Sequence, residues 1–132
     1  MPVRSAVRVA FLILVASGLA FATAALRTPA PTALQAGDFV FHRSRSAQSR
    51  VIAEVTGSPL THVGLVLPRG GELAVREASG PGSWTPLHEF LARGEGGRFE
   101  VRRFADTLSR EDVEALVREG DRLVGRPYDA RF

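Results

Sequence analysis

The stretch from residue 61 to residue 78 constrains the fold more than any other part of this chain. It holds an apolar run rich in β-formers, then the turn sequence PRGG at 68–71, then a second alternating run. This order predicts a β-hairpin. With the turn centred between Arg69 and Gly70, His62 lies directly opposite Glu77, with Cβ atoms roughly 4.5–5.5 Å apart. With the turn centred on residues 70–71, Glu77 becomes a diagonal neighbour of His62.

In either register the hairpin places a histidine, a glutamate and a glycine on the same face of the sheet. Alternate strand residues share a face, so His62, Gly64 and Val66 lie together, beside Leu73, Val75 and Glu77. A glycine inside a strand often marks the close approach of another group. A carboxylate beside an imidazole selects its tautomer and suits a general base or a thiolate–imidazolium pair. The alternative is a purely structural cross-strand pair.

The first 36 residues carry a targeting pattern. Arg4 and Arg8 precede an apolar run over 9–19, and small-x-small motifs follow it. Residues 1–25 are therefore predicted to be a cleaved signal peptide. The alternative is an uncleaved membrane anchor, because 9–26 is borderline long enough to span a bilayer. Residues 26–36 are predicted to be a linker and 37–132 one domain, exported to the periplasm or cell envelope, with membrane contact only if the signal stays attached.

Charge and composition exclude several classes of function. Of the 17 basic residues, Arg4, Arg8 and Arg27 lie in the N-terminal region, which leaves 14 against 14 acidic residues and no basic stripe for nucleic acid. The chain has no cysteine, so it can form neither a disulfide nor a thiolate metal site. The three histidines lie on three separate predicted elements without metal-ligand spacing, at positions His42, His62 and His88. No metal or cofactor is predicted.

The remaining periodicity predicts an α+β domain with an antiparallel sheet and flanking helices. A strand is expected near 39–42 and another over 98–104, with Phe99 and Val101 on its buried side. Helices are expected over 47–56, over 87–93 and after Ser109, with Gly125 ending the last one. The predicted caps of the first two are Ser44 or Ser46, and Thr85. The expected buried face of the first helix carries Val51, Ile52 and Val55.

The order of six segments resembles the YiiX/YaeF-like group, which are circularly permuted papain-like cysteine hydrolases of the NlpC-type superfamily. The segments are Gly37–Phe41, Ser44–Ser49, Ser58–Gly64, Arg76–Ala78, Thr85–Leu87 and Gly125–Asp129. The resemblance implies thiol-dependent hydrolysis or acyl transfer at amide or ester bonds of cell-wall peptides or lipids. It implies His62 as base and Glu77 as orienting residue. Ser46, Gln48 and Tyr128 are candidates for contacting substrate or an oxyanion, and capping is the alternative role at the helix start.

One departure from that group concerns the nucleophile. The resemblance implies a cysteine that opens a helix shortly after the segment at 125–129, and this sequence contains none. We therefore expect a C-terminally incomplete domain, inactive as given. The alternatives are a non-catalytic binding module of the cell envelope, or a thiol from another chain. Without the cysteine-bearing helix, the face of Gly64, Val66, Leu73 and Val75 is predicted to expose an apolar patch of a few hundred Å².

Overall fold

The computed structural model describes residues 26–27 and 33–127 of the 132. The predicted signal peptide (1–25) and Tyr128 lie outside this part. The strands are β1 (Leu26–Arg27), β2 (Phe39–His42), β3 (His62–Arg69), β4 (Glu72–Glu77), β5 (Ser83–Pro86) and β6 (Glu100–Phe104). The helices are α1 (Ala47–Thr56), α2 (Leu87–Ala92) and α3 (Arg110–Arg122), with a 3-10 turn at Glu95–Gly97.

The strands form one antiparallel sheet in the order β1-β6-β2-β3-β4-β5. The predicted α+β class with flanking helices is confirmed. None of the helices in the described residues has the length and apolar character that crossing a bilayer requires.

The hairpin of β3 and β4 adopts the second of the two predicted registers. Gly64 pairs with Glu77, Val66 with Val75, and residue 69 with residue 72. The turn is therefore centred on Gly70 and Gly71, and the register with His62 directly opposite Glu77 is wrong. The two turn glycines have φ of 61° and 87°. Short hairpin turns that need positive φ at both central residues favour Gly-Gly over Arg-Gly. Because the two registers differ by two residues, the same side chains stay on the same face.

One face of the sheet carries the apolar core. Its fully buried members are Val40, Val66, Val75 and Phe90, with Val101 at the boundary. Phe90 is the buried residue of α2, which lies across this face. Its ring fills the space at Gly64, where an added Cβ would come within 2.9 Å of Phe90 Cε2. The predicted exposed patch on this face is wrong, because α2 covers residues 64, 66 and 75.

Helix α3 lies on the opposite face of the sheet, where a buried arginine hydrogen-bonds to it. Arg76 is 7% exposed, and its Nε donates to the carbonyl of Gly120 at 2.8 Å, near the C-terminal end of α3. Its Nη1 donates to the carbonyls of Glu77 and Ser83 at 2.5 and 2.8 Å. The predicted Ser109 cap is confirmed. The helix ends at Arg122, so the prediction that Gly125 ends it is wrong by one short turn.

Helix α1 has the predicted bounds but not the predicted packing. Ser46 caps it by accepting the Ser49 N–H at 3.1 Å, as one of the two predictions had it. The expected buried face is wrong, since Val51 and Val55 are 60% and 81% exposed. The buried residue is Ser49, whose hydroxyl lies 2.5 Å from Thr61 Oγ1. A hydrogen bond between two hydroxyl groups therefore joins α1 to the residue that precedes β3.

Three further local predictions differ from the structure. Within the predicted linker, Leu26 and Arg27 pair with β6, and Leu34 packs against the core. Residue 99 precedes β6 and is 39% exposed, so only Val101 of that pair is buried. Residue 85 lies in β5, a strand the sequence pattern did not predict, and the N-cap of α2 is Pro86 without a side-chain hydrogen bond.

Candidate active site

A row of polar side chains crosses the core face at one end of α2. Each comes from a different element: His42 from β2, His62 from β3, Glu77 from β4, Thr85 from β5 and Arg93 from the residue after α2. Strand pairing sets most of the row. Residue 42 pairs with residue 62, and residue 77 pairs with residue 64, two positions along β3 from the histidine. The sheet register therefore brings together groups that are far apart in sequence.

His62 and Glu77 are in direct contact. The distance from His62 Nε2 to Glu77 Oε2 is 2.6 Å. The Glu77 side chain is fully buried, whereas that of His62 is 24% exposed. The predicted proximity of imidazole and carboxylate is confirmed, and it survives the change of register because the two residues are diagonal neighbours. Their catalytic roles stay predictions.

The second oxygen of Glu77 is also occupied. Thr85 Oγ1 donates to Glu77 Oε1 at 2.5 Å, and the Arg93 guanidinium donates to the same oxygen. Burial alone would raise the pKa of Glu77, but the hydrogen bonds from His62, Thr85 and Arg93 together outweigh it and lower the pKa from 4.5 to about 2. Glu77 is therefore a buried carboxylate that is ionised at neutral pH.

The ionised state of Glu77 determines the tautomer of His62. A carboxylate can only accept hydrogen bonds, so the His62 Nε2 that faces it must carry the hydrogen. In the neutral ring this leaves the lone pair on Nδ1. The partial exposure of the ring lets a reacting group approach it. The arrangement is that of a proton acceptor held in one tautomer by a buried anion.

His42 lies beside His62 as a buried, neutral neighbour. The residue is 2% exposed, and neither ring nitrogen has a hydrogen-bond partner of good geometry among the described residues. Its ring centroid is 5.3 Å from that of His62 and 4.7 Å from that of Phe90. Burial lowers the pKa of His42, and the backbone of Arg43 opposes this only in part. The sequence interpretation treated this residue only as an unsuitable metal ligand.

Neither Ser46 nor Gln48 takes part in the contacts of His62 and Glu77. The Ser46 hydroxyl accepts the Ser49 N–H and hydrogen-bonds with Ser44 Oγ at 3.0 Å, which is the capping alternative. Gln48 is exposed in the first turn of α1. Tyr128 lies outside the described residues.

Thr85 and Arg93 are the site residues that sequence reasoning missed. The sequence pattern predicts Thr85 as a helix cap and Arg93 as the end of the same helix. The sequence signal for Arg93 is its spacing from Phe90, since residue 93 lies one helical turn after it. The signal for Thr85 is its place in the segment Thr85–Leu87, which is one of those that carry the resemblance. Nothing local shows that both reach a carboxylate on another strand.

His62 and Glu77 are in contact on one face of an antiparallel sheet, and they follow each other along the chain in the order that the resemblance implies for a base and its orienting residue. The model of a family described as "permuted papain-like amidase enzyme, YaeF/YiiX, C92 family" matches residues 33–132. The chain therefore belongs to this family, and the predicted resemblance is confirmed.

Two relatives show the extent of the likeness. The uncharacterized protein YiiX of Escherichia coli (strain K12) is 40% identical over 98 residues, which cover 74% of this chain and 48% of that protein. A crystal structure described as metalloprotein yiiX from Escherichia coli O157:H7 is 41% identical with a TM-score of 0.69, covering 72% of this chain and 53% of that one. The chain thus spans about half the length of these relatives.

The description of that crystal structure raises the question of a metal ion in this chain. No group of three or more His, Cys, Asp or Glu side chains in the described part is arranged to hold one. Both oxygens of Glu77 already accept hydrogen bonds from protein donors. The described residues therefore do not fit a metal ion.

Proposed function

We propose that this chain supplies the base and its orienting carboxylate to a thiol-dependent hydrolase or acyltransferase of the cell envelope. The bond would be an amide or ester in a wall peptide or lipid. The observation that supports this most is the contact between the buried, ionised Glu77 and the partly exposed His62. Membership of a family of amidases supports the reaction class.

The chemistry assigned to His62 is proton transfer at Nδ1. The imidazole takes the proton of a thiol, and the thiolate attacks the carbonyl carbon of the substrate. The imidazolium then gives its proton to the leaving amine or alcohol as the carbon–heteroatom bond breaks. Water, or a second nucleophile in the case of acyl transfer, then loses a proton to His62 as it attacks the carbon of the thioester. The carbon–sulfur bond breaks, and the imidazolium returns its proton to the departing thiolate. Glu77 holds the ring and stabilises its protonated form in each step.

The thiol must come from polypeptide other than these 132 residues, since they contain no cysteine. The path of the chain after α3 is compatible with this. The N–H of Gly125 donates to the carbonyl of Pro81 at 2.7 Å, in the loop between β4 and β5. The segment that leaves α3 is therefore anchored close to the end of the strand that carries Glu77.

The test uses the coding sequence downstream of codon 132. A form of the protein that includes a downstream cysteine should be alkylated by iodoacetamide at that residue and should hydrolyse an amide substrate. His62→Ala should slow alkylation at neutral pH at least about tenfold and abolish turnover, since a general base contributes about 10²–10⁴-fold. His88→Ala, at an exposed position of α2, is the matched control. Full hydrolysis in the His62→Ala form would overturn the assignment.

A second candidate is a non-catalytic binding module of the envelope, which the lack of cysteine in the sequence favours. If the downstream reading frame encodes no cysteine, this candidate replaces the first. The 132-residue chain should then bind wall peptide or phospholipid vesicles in a sedimentation assay. An active thiol form would rule it out.

We also infer export of the chain, on the pattern of residues 1–25 alone. Cell fractionation and the mass of the mature protein test it. A protein recovered from the cytoplasm with its first 25 residues intact would contradict export.

A further inference from the structure

The buried carboxylate of Glu77 needs a compensating positive charge. Removing an ion from water costs several kcal/mol unless an opposite charge lies close to it. In a histidine–glutamate pair by itself, that charge appears only when the imidazole is protonated. Here a second cation is present, since the Arg93 guanidinium contacts Oε1 while His62 contacts Oε2. Arginine stays charged at every pH that a protein tolerates.

We propose that Arg93 is the permanent counter-ion of Glu77 and that Thr85 and Arg93 together fix which carboxylate oxygen faces His62. His62 can then be neutral or protonated without leaving a buried charge uncompensated. Arg93 and Thr85 are positioning residues, because they act on His62 only through Glu77. The catalytic meaning of this assignment rests on the proposed function, whereas the charge argument does not.

The surroundings of Arg93 support the assignment. The residue directly follows α2, and its guanidinium lies 5.3 Å from the ring centroid of Phe90. Phe90 is fully buried, and its ring is 5.7 Å from that of His62. A buried anchor thus sets the place of the guanidinium, although its side chain is 43% exposed. A mobile surface arginine would have no such support.

Two other titratable groups lie near Glu77, but neither forms an ion pair with its carboxylate. His42 is kept neutral because burial lowers its pKa. Arg76 projects to the opposite face of the sheet and donates to the carbonyls of Gly120, Glu77 and Ser83. Among the described residues, Arg93 and His62 are the basic groups in direct contact with the Glu77 carboxylate, whereas Arg76 acts on it only through space.

The proposal predicts a change in how stability depends on pH. In Arg93→Met, only a protonated His62 can balance Glu77, so folding takes up a proton near neutral pH. The loss of stability relative to wild type should therefore be small at about pH 5.5 and grow as the pH rises to about 8. The charge of Arg93 also helps to lower the pKa of His42. The series is therefore repeated with His42→Phe in every protein, and the trend should persist there.

The experiment is urea denaturation at a series of pH values, with the difference from wild type followed for each variant. The folding constant of Arg93→Met relative to wild type should fall about tenfold or more from pH 5.5 to 8. Arg93→Lys should restore most of the wild-type profile because it keeps the charge. Arg118→Met removes an exposed arginine of α3 and should show no such trend. The double variant Arg93→Met/His62→Gln should lose the trend.

Two results would overturn the proposal: a relative stability of Arg93→Met that does not change with pH, or a trend that persists in the double variant. If Arg93→Met does not fold, the same substitution is made in the Glu77→Gln variant to test the counter-ion role. There the carboxylate charge is absent, so adding Arg93→Met should cost little, and a protein that still fails to fold contradicts the counter-ion role. These measurements do not involve turnover, so a failure of the proposed hydrolase activity would be seen separately.

Discussion

The ring of Phe90 occupies the space above Gly64, where an added Cβ would lie 2.9 Å from two ring carbons and would overlap Val75 Cγ1. The same ring packs against His42 and His62, at centroid distances of 4.7 and 5.7 Å. Because residue 64 has no side chain, α2 can pack against the sheet with Phe90 in contact with the imidazole rings of His42 and His62. The absence of a side chain at residue 64 is a packing requirement of the site.

Gly64→Ala should lower the free energy of unfolding by about 1–3 kcal/mol, the usual range for overpacking. Urea denaturation measures it. Because Val75 is one of the two obstacles, Val75→Ala should cost less in the Gly64→Ala background than in wild type. Equal costs in both backgrounds would show that the overlap is relieved in another way.

The hairpin illustrates what the sequence determines and what it leaves open. Turn residues and strand alternation predicted β3, β4 and the face that His62 and Glu77 share. They did not decide between two turn centres, and the structure selects Gly70-Gly71, where both residues have positive φ. The contact between His62 and Glu77 was predictable because alternation preserves the face in either register.

Thr85 and Arg93 were not predictable, because long-range packing brings them to Glu77. Thr85 depends on the pairing of β5 with β4, and Arg93 depends on where α2 ends above the sheet. The predicted packing of α1 is wrong for a related reason. An apolar stripe such as Val51 and Val55 predicts a helix, but it does not say what lies opposite that stripe. In the structure, the contact with the sheet goes through Ser49 instead.

Acid should destabilise the protein through Glu77. Its pKa is lowered to about 2 in the folded state, against an ordinary value of 4.5. The stabilisation from this group is therefore present above about pH 4.5 and is lost as the pH falls toward 2, a change on the order of 3 kcal/mol. Urea midpoints between pH 2 and 7 measure it.

Glu77→Gln should be less stable than wild type at pH 7 and should lose this part of the pH dependence. Glu111→Gln, at an exposed position of α3, should keep it. If Glu77→Gln kept the whole acid transition, the titration would belong to other carboxyl groups.

His42 should be a net cost to the fold. A buried polar group without a hydrogen-bond partner costs about 1–3 kcal/mol. Neither ring nitrogen of His42 has a partner of good geometry within the described residues, and the backbone of Arg43 compensates for burial only in part. His42→Phe should therefore be as stable as wild type or more so at pH 7, as measured by thermal and urea unfolding.

Because burial lowers the pKa of His42, the His42→Phe variant should also lose less stability than wild type as the pH falls below about 6.5. A clear loss of stability at pH 7 would mean that the ring has a partner that compensates for its burial.

Arg76 should be required for the attachment of α3 to the sheet. Its guanidinium joins the carbonyl of Gly120 to those of Glu77 and Ser83, on the face opposite the polar row. Arg76→Met leaves three carbonyls without this donor and should lower the free energy of unfolding by about 2–4 kcal/mol. Arg76→Lys should recover little, because an ammonium group cannot reproduce the planar fork of donors. Arg69→Met is the matched control, since Arg69 contacts α3 at Asp121 through an exposed ion pair, and such pairs contribute little to stability. Hydrogen exchange of the α3 amides, followed by mass spectrometry, should be much faster in Arg76→Met than in Arg69→Met. Equal exchange rates would show that α3 is held by its apolar contacts instead.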